Sequence, residues 1–418
     1  MKVVIVGGGI GGLALALALQ ARAIDCEVFE AVAEVREIGV GITLLPHAMR
    51  ELAALGLADR IEPLGIENLE SVFCNRWGQF IFKEPRGRHA GYDLPEISLH
   101  RGRLHRVLLD AVLERLGQHR VHLNHRFVRV DQGEAGATVH FVGGAEAVRL
   151  EGATSLADAT RLVAVKADVV VGCDGVNSSV RRQFYPDEAL AFAGINTWRG
   201  VTRHRPILTG KTYLRIGSID TGKMVIYPIV DDIDGQGQQL INWVAEIRRS
   251  DSVMNDWNRA GRIEDFIDIF ADWRFDWLDV PALLQNAERI FEYPMVDRDP
   301  VAHWSFGRVT LLGDAAHPMY PRGSNGSAQA LIDARVLAQT LAELDPHAAL
   351  KSYETQRLAA TARIVETNRT VPPDYIIMKV DELSGGQPFA QLDDLISPQA
   401  LQAISDEYKR IAGFSLPR

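Results

Sequence analysis

MKVVIVGGGIGGLALALALQARAIDCEVFE, residues 1–30, sets five glycines in six positions between a Val/Ile run and an Ala/Leu run. Lys2 to Val6 reads as a fully buried strand, Leu13 to Ala23 as a helix and Glu27 to Phe29 as the next strand. Such a unit fits within ~30 residues. Gly7, Gly9 and Gly12 then occupy the G-x-G-x-x-G register. The first glycine permits the tight turn, the second lets a pyrophosphate touch the backbone, and the third lets helix and strand close up. Free N–H groups at the helix start carry the partial positive charge a diphosphate needs. Glu30 follows Gly12 by 18 residues, near the ~20-residue interval at which a carboxylate meets an adenosine ribose. Glycines that merely closed a tight turn would leave Glu30 unexplained. The stretch predicts a dinucleotide site and leaves FAD and NAD both open.

The 418 residues exceed the ~250–300 at which one hydrophobic core stops growing, so two structural units are expected. A composition of 47% hydrophobic and 24% charged residues is that of an ordinary globular protein. The net charge of −9 and the lack of a long basic run argue against nucleic acid or an anionic membrane as partner. Cys26, Cys74 and Cys173 lie far apart with no C-x-x-C spacing, so neither a metal site nor a disulfide framework is expected. A reduced cytoplasm is the natural setting. A core strand begins almost at Met1, which leaves no room for a signal peptide, and no apolar run reaches the ~18 residues of a membrane span.

Further along, IGVGITLLPHAMRELAALGL reads as a Gly-rich loop and a helix with Met49, Leu52, Ala53 and Leu55 on one face. EISLHRGRLHRVLLDAVLERLG carries a short strand into a helix with Leu104, Leu108, Val112 and Leu116 at helical spacing. Alternation from Val121 to Val142 predicts antiparallel strands, and residues 146–168 an elaborated hairpin whose Gly152–Asp158 portion is a surface loop. VVVGCDGVNSSVRRQF runs a buried strand, Val169 to Val171, into an Asp-Gly turn and a helix start. Residues 190–285 turn aromatic-rich with turn signals, as a sheet-based substrate unit would. VTLLGDAAHPMYPRGSNGSAQALIDARVLAQTLAEL returns to strand, glycine loop and helix, and the residues from Ser352 on read as polar helices. The expected fold class is α/β: a Rossmann-like nucleotide-binding domain (1–73, 97–185 and 286–360), an inserted sheet-based substrate domain (74–96 and 186–285) and a C-terminal helical segment (361–418).

Three glycine-bearing loops, GGGIGG, GCDG and GDAAH, each follow a predicted strand, at the sheet edge where ligands of open α/β sheets bind. With these three fingerprints in order, the chain resembles the FAD-dependent aromatic monooxygenases of the para-hydroxybenzoate hydroxylase type over nearly its whole length. The matching residues are Gly7, Gly9 and Gly12 with Glu30; Asp174–Gly175 with Ser178 and Arg181; and Gly313–Asp314 with Ala315, Ala316 and His317. It looks most similar to the phenazine monooxygenase branch, through SLHRGRL, TWRGVT, INWV, YPMVDRDPVAHW and LLGDAAHPMYPRGSNG.

The resemblance implies FAD as bound cofactor. Asp314 then holds the ribityl side of FAD or caps the next helix; Asp174 lies near the diphosphate or caps the helix after its turn. Arg101 resembles the arginine that contacts the flavin, and the loop after Gly39, with Gly41 and Ile42, the backbone beside the isoalloxazine. Pro318, Pro321 and the segment Ser324, Asn325, Gly326 are expected beside the ring, with Asn325 departing from the Gly-rich form common in the family.

NADH or NADPH is implied as a transient co-substrate, in keeping with the lack of a second G-x-G-x-x-G, and O2 as the oxygen source, trapped by reduced FAD as a C4a-hydroperoxide. The missing C-x-x-C disfavours flavin disulfide reductases, and the missing W-x-W-x-I-P flavin halogenases. The resemblance implies hydroxylation, with or without decarboxylation, of a small aromatic or N-heteroaromatic acid or phenol. Trp198, Tyr227, Trp243 and Met295 are candidate pocket residues, with Arg199 as partner for a substrate carboxylate; each aromatic could equally be sheet core. His47 and His317 invite a general-base role, His317 being the more structural of the two. An oxidase or reductase on the same fold, or a flavin-bound protein that sequesters aromatics, are the rival readings. Monomer and homodimer both stay open.

Overall fold

A computed structural model of the chain describes residues 1–33, 40–143, 162–249, 260–413 and 415. Its six-stranded sheet runs Ser305–Phe306, Val309–Leu311, Val169–Gly172, Lys2–Val6, Asp25–Phe29 and Val121–His122. All neighbours are parallel except the first pair. The strands at Lys2, Val169 and Val309 therefore deliver their following loops to one edge, and these are the three glycine-bearing loops expected to meet there.

The helix after the first strand spans Ile10–Gln20, starting three residues before the expected Leu13. Gly9 caps it with extended backbone and the chain leaves through Ala23, whose φ is 55°. Gly12 to Leu19 are all buried, which fits a helix apolar on every side. It packs between helices Gly326–Glu343 and Arg101–Leu116. Space makes Gly12 obligatory: a Cβ there would stand 2.1 Å from the Gly7 carbonyl oxygen. Gly7 adopts φ 109°, and a Cβ on it would stand 2.4 Å from the Cys173 carbonyl, so the first loop is locked against the second.

A seven-stranded sheet forms the second layer system: Ala287–Asp297, Ala191–His204, Gln239–Arg248, Lys223–Val230, Thr212–Ile216, Glu70–Cys74 and Phe80–Pro85. Only Thr212–Ile216 with Glu70–Cys74 is parallel. Two of these strands depart from the expected division into units. Glu70–Cys74 straddles residue 73, and Ala287–Asp297, expected with the nucleotide-binding unit, pairs instead along Ala191–His204. The aromatic-rich insert supplies the longest strand of this sheet, Ala191–His204 at 14 residues, which pairs along both its edges.

One face of this sheet carries the core of Trp198, Trp243, Phe266, Phe270 and Trp273. The other faces the parallel sheet across the small sheet Gly41–Leu44, Ile97–His100 and Gly65–Glu67. The expected antiparallel pair is His125–Gly133 with Gly136–Gly143, joined by Leu162–Ala167; the Gly152–Asp158 loop lies outside the described residues. The chain ends in helices Pro346–Thr370, Tyr375–Ser384 and Pro398–Ala412. Among the described residues no helix is long and apolar enough to cross a membrane.

Gly9 and Gly12 separate in a simple test. Nothing lies within 4 Å of a Cβ at Gly9. Gly12→Ala should destabilise the apoprotein by about 1–3 kcal/mol through overpacking, read from its urea midpoint, while Gly9→Ala should leave the midpoint in place. Equal effects would refute the packing assignment.

Candidate active site

The N-terminus of helix Ile10–Gln20 has no side-chain cap and no acidic residue in its first turn. Among the described residues its leading N–H groups are thus unpaired donors, backed by the helix dipole. Gly9, Ile10 and Gly11 border a cleft, whereas Gly7 and Gly12 lie behind it and set the backbone approach. The Glu30 carboxylate accepts the Gly8 N–H at 2.7 Å and the Val32 N–H at 3.0 Å. It thereby fixes the glycine loop from the end of the second strand.

In the second loop the Asp174 carboxylate accepts the Ser178 hydroxyl and the N–H groups of Ser179 and Val180. Ser178 caps helix Ser179–Phe184, its hydroxyl accepting the Arg181 N–H at 2.8 Å, and Asp174 braces that cap from the turn before it, while its neighbours Cys173 and Gly175 line the cleft. Arg181, buried, joins this helix to the third loop by donating to the carbonyls of Ala315 and Ala316 at 3.0 and 2.6 Å. Asp314 extends from the third loop into the cleft, exposed.

Behind Asp314 stands a carboxylate the sequence reading missed. Asp333, with 0% exposure, accepts from His317 Nε2 at 2.5 Å, from Arg357 Nε at 2.7 Å and from the Gly313 N–H at 3.2 Å. Burial pushes its carboxyl up, but His317 and Arg357 outweigh that and hold it at about 2. His317 is therefore committed to this ion cluster.

Met319, Pro321, Ser324, Asn325 and Gly326 form the next wall, while Pro318 is buried and does not border the cleft. Gly323 and Ser324 both adopt left-handed backbone, φ 74° and 56°. His47 also lies outside the cleft lining, with its Nε2 3.2 Å from the Asn325 Oδ1. Burial drives its pKa down to about 4, so the imidazole is neutral and Nε2–H donates to that oxygen. Its place is behind the wall, which removes it as a base acting in the cleft. Arg101, Gly41 and Ile42 line the opposite side, and Asn242 Oδ1 accepts the Gly41 N–H at 2.6 Å. Gly39 lies outside the described residues.

The seven-stranded sheet closes the cleft with one face only. Arg199, Tyr227, Tyr213, Val225, Val244 and Glu246 line it. Side chains alternate along a strand, so Trp198 and Trp243, each one residue from a lining position, point the other way. Trp198 stacks on Phe266 at 5.1 Å and Trp243 donates to Thr202 Oγ1 at 3.0 Å, both in the core. Met295 packs with Ile195, Ile219 and Tyr320 in a separate cluster. These three expected pocket residues are structural. Arg199 keeps its place: its buried Nε has no hydrogen-bond partner among the described residues, and Tyr293 stands 5.7 Å below the guanidinium. Burial lowers its pKa, yet an Arg stays charged. Burial raises Tyr227, stacked on Tyr213 at 4.9 Å, so its phenol is neutral.

The cleft has a volume of ≈ 310 Å³ and runs from the helix start, past Asp314 and Pro321–Gly326, to Arg199. A family model described as an FAD binding domain matches residues 1–213 and 278–368. The chain belongs to this FAD-binding family. It is 38% identical over 415 residues to the phenazine 1,6-dicarboxylic acid hydroxylase PhzS of Lysobacter antibioticus, covering 98% of this chain and 96% of that protein. The 3-amino-4-hydroxybenzoate 2-monooxygenase PtmB3 of Streptomyces platensis is 30% identical, with 99% and 96% covered. Klebsiella pneumoniae HpxO, solved with FAD and uric acid, shares the fold at TM-score 0.71 and 22% identity, with 99% and 95% covered. The α/β fold, the FAD-binding domain and the membership among FAD-dependent monooxygenases thus agree.

The neutral His47 makes a pH prediction. Its folded pKa of about 4 lies below the ordinary 6.5, so between those values the unfolded chain binds a proton the folded chain refuses, and stability falls as pH falls through that window. At about 1.4 kcal/mol per unit, the imidazole accounts for about 3 kcal/mol of acid destabilisation between pH 7 and 4. His47→Gln should flatten the stability profile by that order in urea titrations; an unchanged slope would place the imidazole in water.

Proposed function

We propose that this protein is a single-component flavin monooxygenase that uses NADH or NADPH and O2 to hydroxylate an aromatic or N-heteroaromatic acid or phenol, with or without loss of a carboxyl group. The observation that carries this is the cleft that joins a helix N-terminus without a side-chain cap to an arginine whose buried Nε has no hydrogen-bond partner among the described residues. FAD, when bound, supplies electron transfer from the nicotinamide and the activation of O2.

This chain's residues do the positioning. The N–H groups at Ile10 and Gly11 receive the diphosphate, Glu30 faces the ribose end of the glycine loop, and Asp314 takes the ribityl hydroxyls. Arg101, Gly41 and Ile42 flank one side of the ring, and the Ser324–Gly326 backbone the other, where N–H donors stabilise negative charge on the pyrimidine edge. Arg199 pairs with an anionic group on the substrate, over a floor of Val225, Val244, Tyr213 and Tyr227 that excludes water. The phenazine dicarboxylate named for the Lysobacter relative carries the kind of group Arg199 suits. In this reading the parallel sheet is the cofactor unit, the seven-stranded sheet the substrate unit, and the cytoplasm the setting.

The test is NADH and NADPH oxidation in air across phenazine, quinoline, pyridine and benzoate acids and phenols, with products identified by mass. A ligand that accelerates oxidation and gains one oxygen supports the reading. Hydrogen peroxide as the only product with every ligand contradicts it in favour of an oxidase. For a carboxylated substrate, Arg199→Gln should raise KM about 10–100-fold, the worth of a charge-assisted hydrogen bond, with kcat less affected. An unchanged KM removes Arg199 from substrate recognition.

A further inference from the structure

We propose that the last helix, Pro398–Ala412, is part of the cofactor site, with Tyr408 as the positioning residue that sets the wall Pro321–Gly326 through Asn325. The proposal rests on the reading that this wall lies against bound FAD.

Hydrogen bonds link four buried side chains in one direction. The neutral His47 donates through Nε2–H to Asn325 Oδ1, and Asn325 Nδ2 donates to the Tyr408 hydroxyl at 3.0 Å. That hydroxyl donates to Asn368 Oδ1 at 3.1 Å, and Asn368 Nδ2 donates to the Tyr320 carbonyl at 3.2 Å. The chain thus starts on the helix Pro46–Ala54, passes through the wall, crosses to the last helix and returns through Pro346–Thr370 to the residue just before Pro321. Aligned donors polarise one another, so each bond strengthens the next.

The wall needs such an external hold. It carries two successive left-handed residues, and Ser324 is not a glycine, a conformation that persists only where the surroundings over-determine it. Tyr408 also fills the space above Gly323 so closely that a Cβ there would stand 1.8 Å from the hydroxyl oxygen. Asn325, whose amide joins His47 to Tyr408, itself lines the cleft. The Tyr408 ring meanwhile packs on Leu45, beside the His47 helix.

The same helix has a second attachment that does not involve the wall. Ser405 Oγ and Lys409 Nζ each reach Glu84 Oε2 at 2.6 Å, on the edge strand Phe80–Pro85. This allows loss of docking to be told apart from loss of positioning.

The experiment titrates FAD into apoprotein and records the Kd, the visible flavin spectrum and the apoprotein urea midpoint for Tyr408→Phe, Ser405→Ala and Asp314→Ala. Tyr408→Phe, which removes only the hydroxyl, should weaken FAD by about tenfold, the scale of one net buried hydrogen bond, and shift the flavin absorption bands. Ser405→Ala should lower the midpoint but leave Kd and spectrum as in wild type. Should Tyr408→Phe not fold, Gly323→Ala probes the same contact from the wall and should shift the bands likewise. Wild-type Kd and spectrum in Tyr408→Phe, with Asp314→Ala weakened, overturn the positioning role alone. Wild-type binding in both variants overturns it together with the cleft reading. Parallel loss in Tyr408→Phe and Ser405→Ala, scaled to the midpoint, makes the helix a general support and also overturns the proposal.

Discussion

The cleft depends on one buried carboxylate. Asp333 has no exposure, yet it gathers the third glycine loop, through Gly313 and His317, onto two helices, through its own backbone and Arg357. An isolated buried charge costs several kcal/mol, and it is tolerated only when paired and hydrogen-bonded. Here both oxygens are engaged, so the loop cannot leave without stranding the ion. With Gly313 pinned, Asp314 faces the cleft and the chain onward to Gly326 has fixed ends. Arg181 ties the same loop to the second fingerprint, and the Gly7–Cys173 contact ties the second to the first. Three segments far apart in sequence thus form one rigid rim.

The other rim is built by alternation rather than by ions. The faces of Ala191–His204, Lys223–Val230 and Gln239–Arg248 divide so that Arg199, Tyr227 and Val244 face the cleft and Trp198, Ile226 and Trp243 face the core. A one-residue slip would exchange the two sets. Asn242 holds the register to the opposite wall by accepting the Gly41 N–H, and a Cβ on Gly41 would stand 2.7 to 2.9 Å from Tyr227, Ile229 and Asn242. The seven-stranded sheet and the small sheet Gly41–Leu44, Ile97–His100 and Gly65–Glu67 touch at this contact.

The glycine loops, the parallel sheet and the sheet character of the insert were legible because each rests on a local signal: apolar runs, glycine spacing and turn residues. The ends of elements were less so. Helix Ile10–Gln20 starts inside the glycine run because Gly11 and Gly12 are themselves helical, which composition does not announce. The aromatic candidates failed for a nameable reason. Size drew attention to Trp198 and Trp243, but face decides, and a face is legible only relative to an anchor. Counting by two from Arg199 and Tyr227, across strands of unknown register, would have been needed to find Val225, Val244 and Glu246. Asp333 and Tyr408 were invisible for another reason: their partners lie 16 to 83 residues away, and an Asp or Tyr on a polar helix carries no mark of the loop it holds.

The central claim is that one continuous cleft holds FAD with its diphosphate at the start of helix Ile10–Gln20 and its ring between the Pro321–Gly326 wall and the Arg199 face. A crystal structure of the protein with FAD bound tests this most directly. The account predicts phosphate oxygens over the N–H groups of the first helical turn, the ribityl chain beside Asp314, and the pyrimidine edge against Ser324–Gly326. A flavin ring seated away from both the wall and the Arg199 face would contradict it.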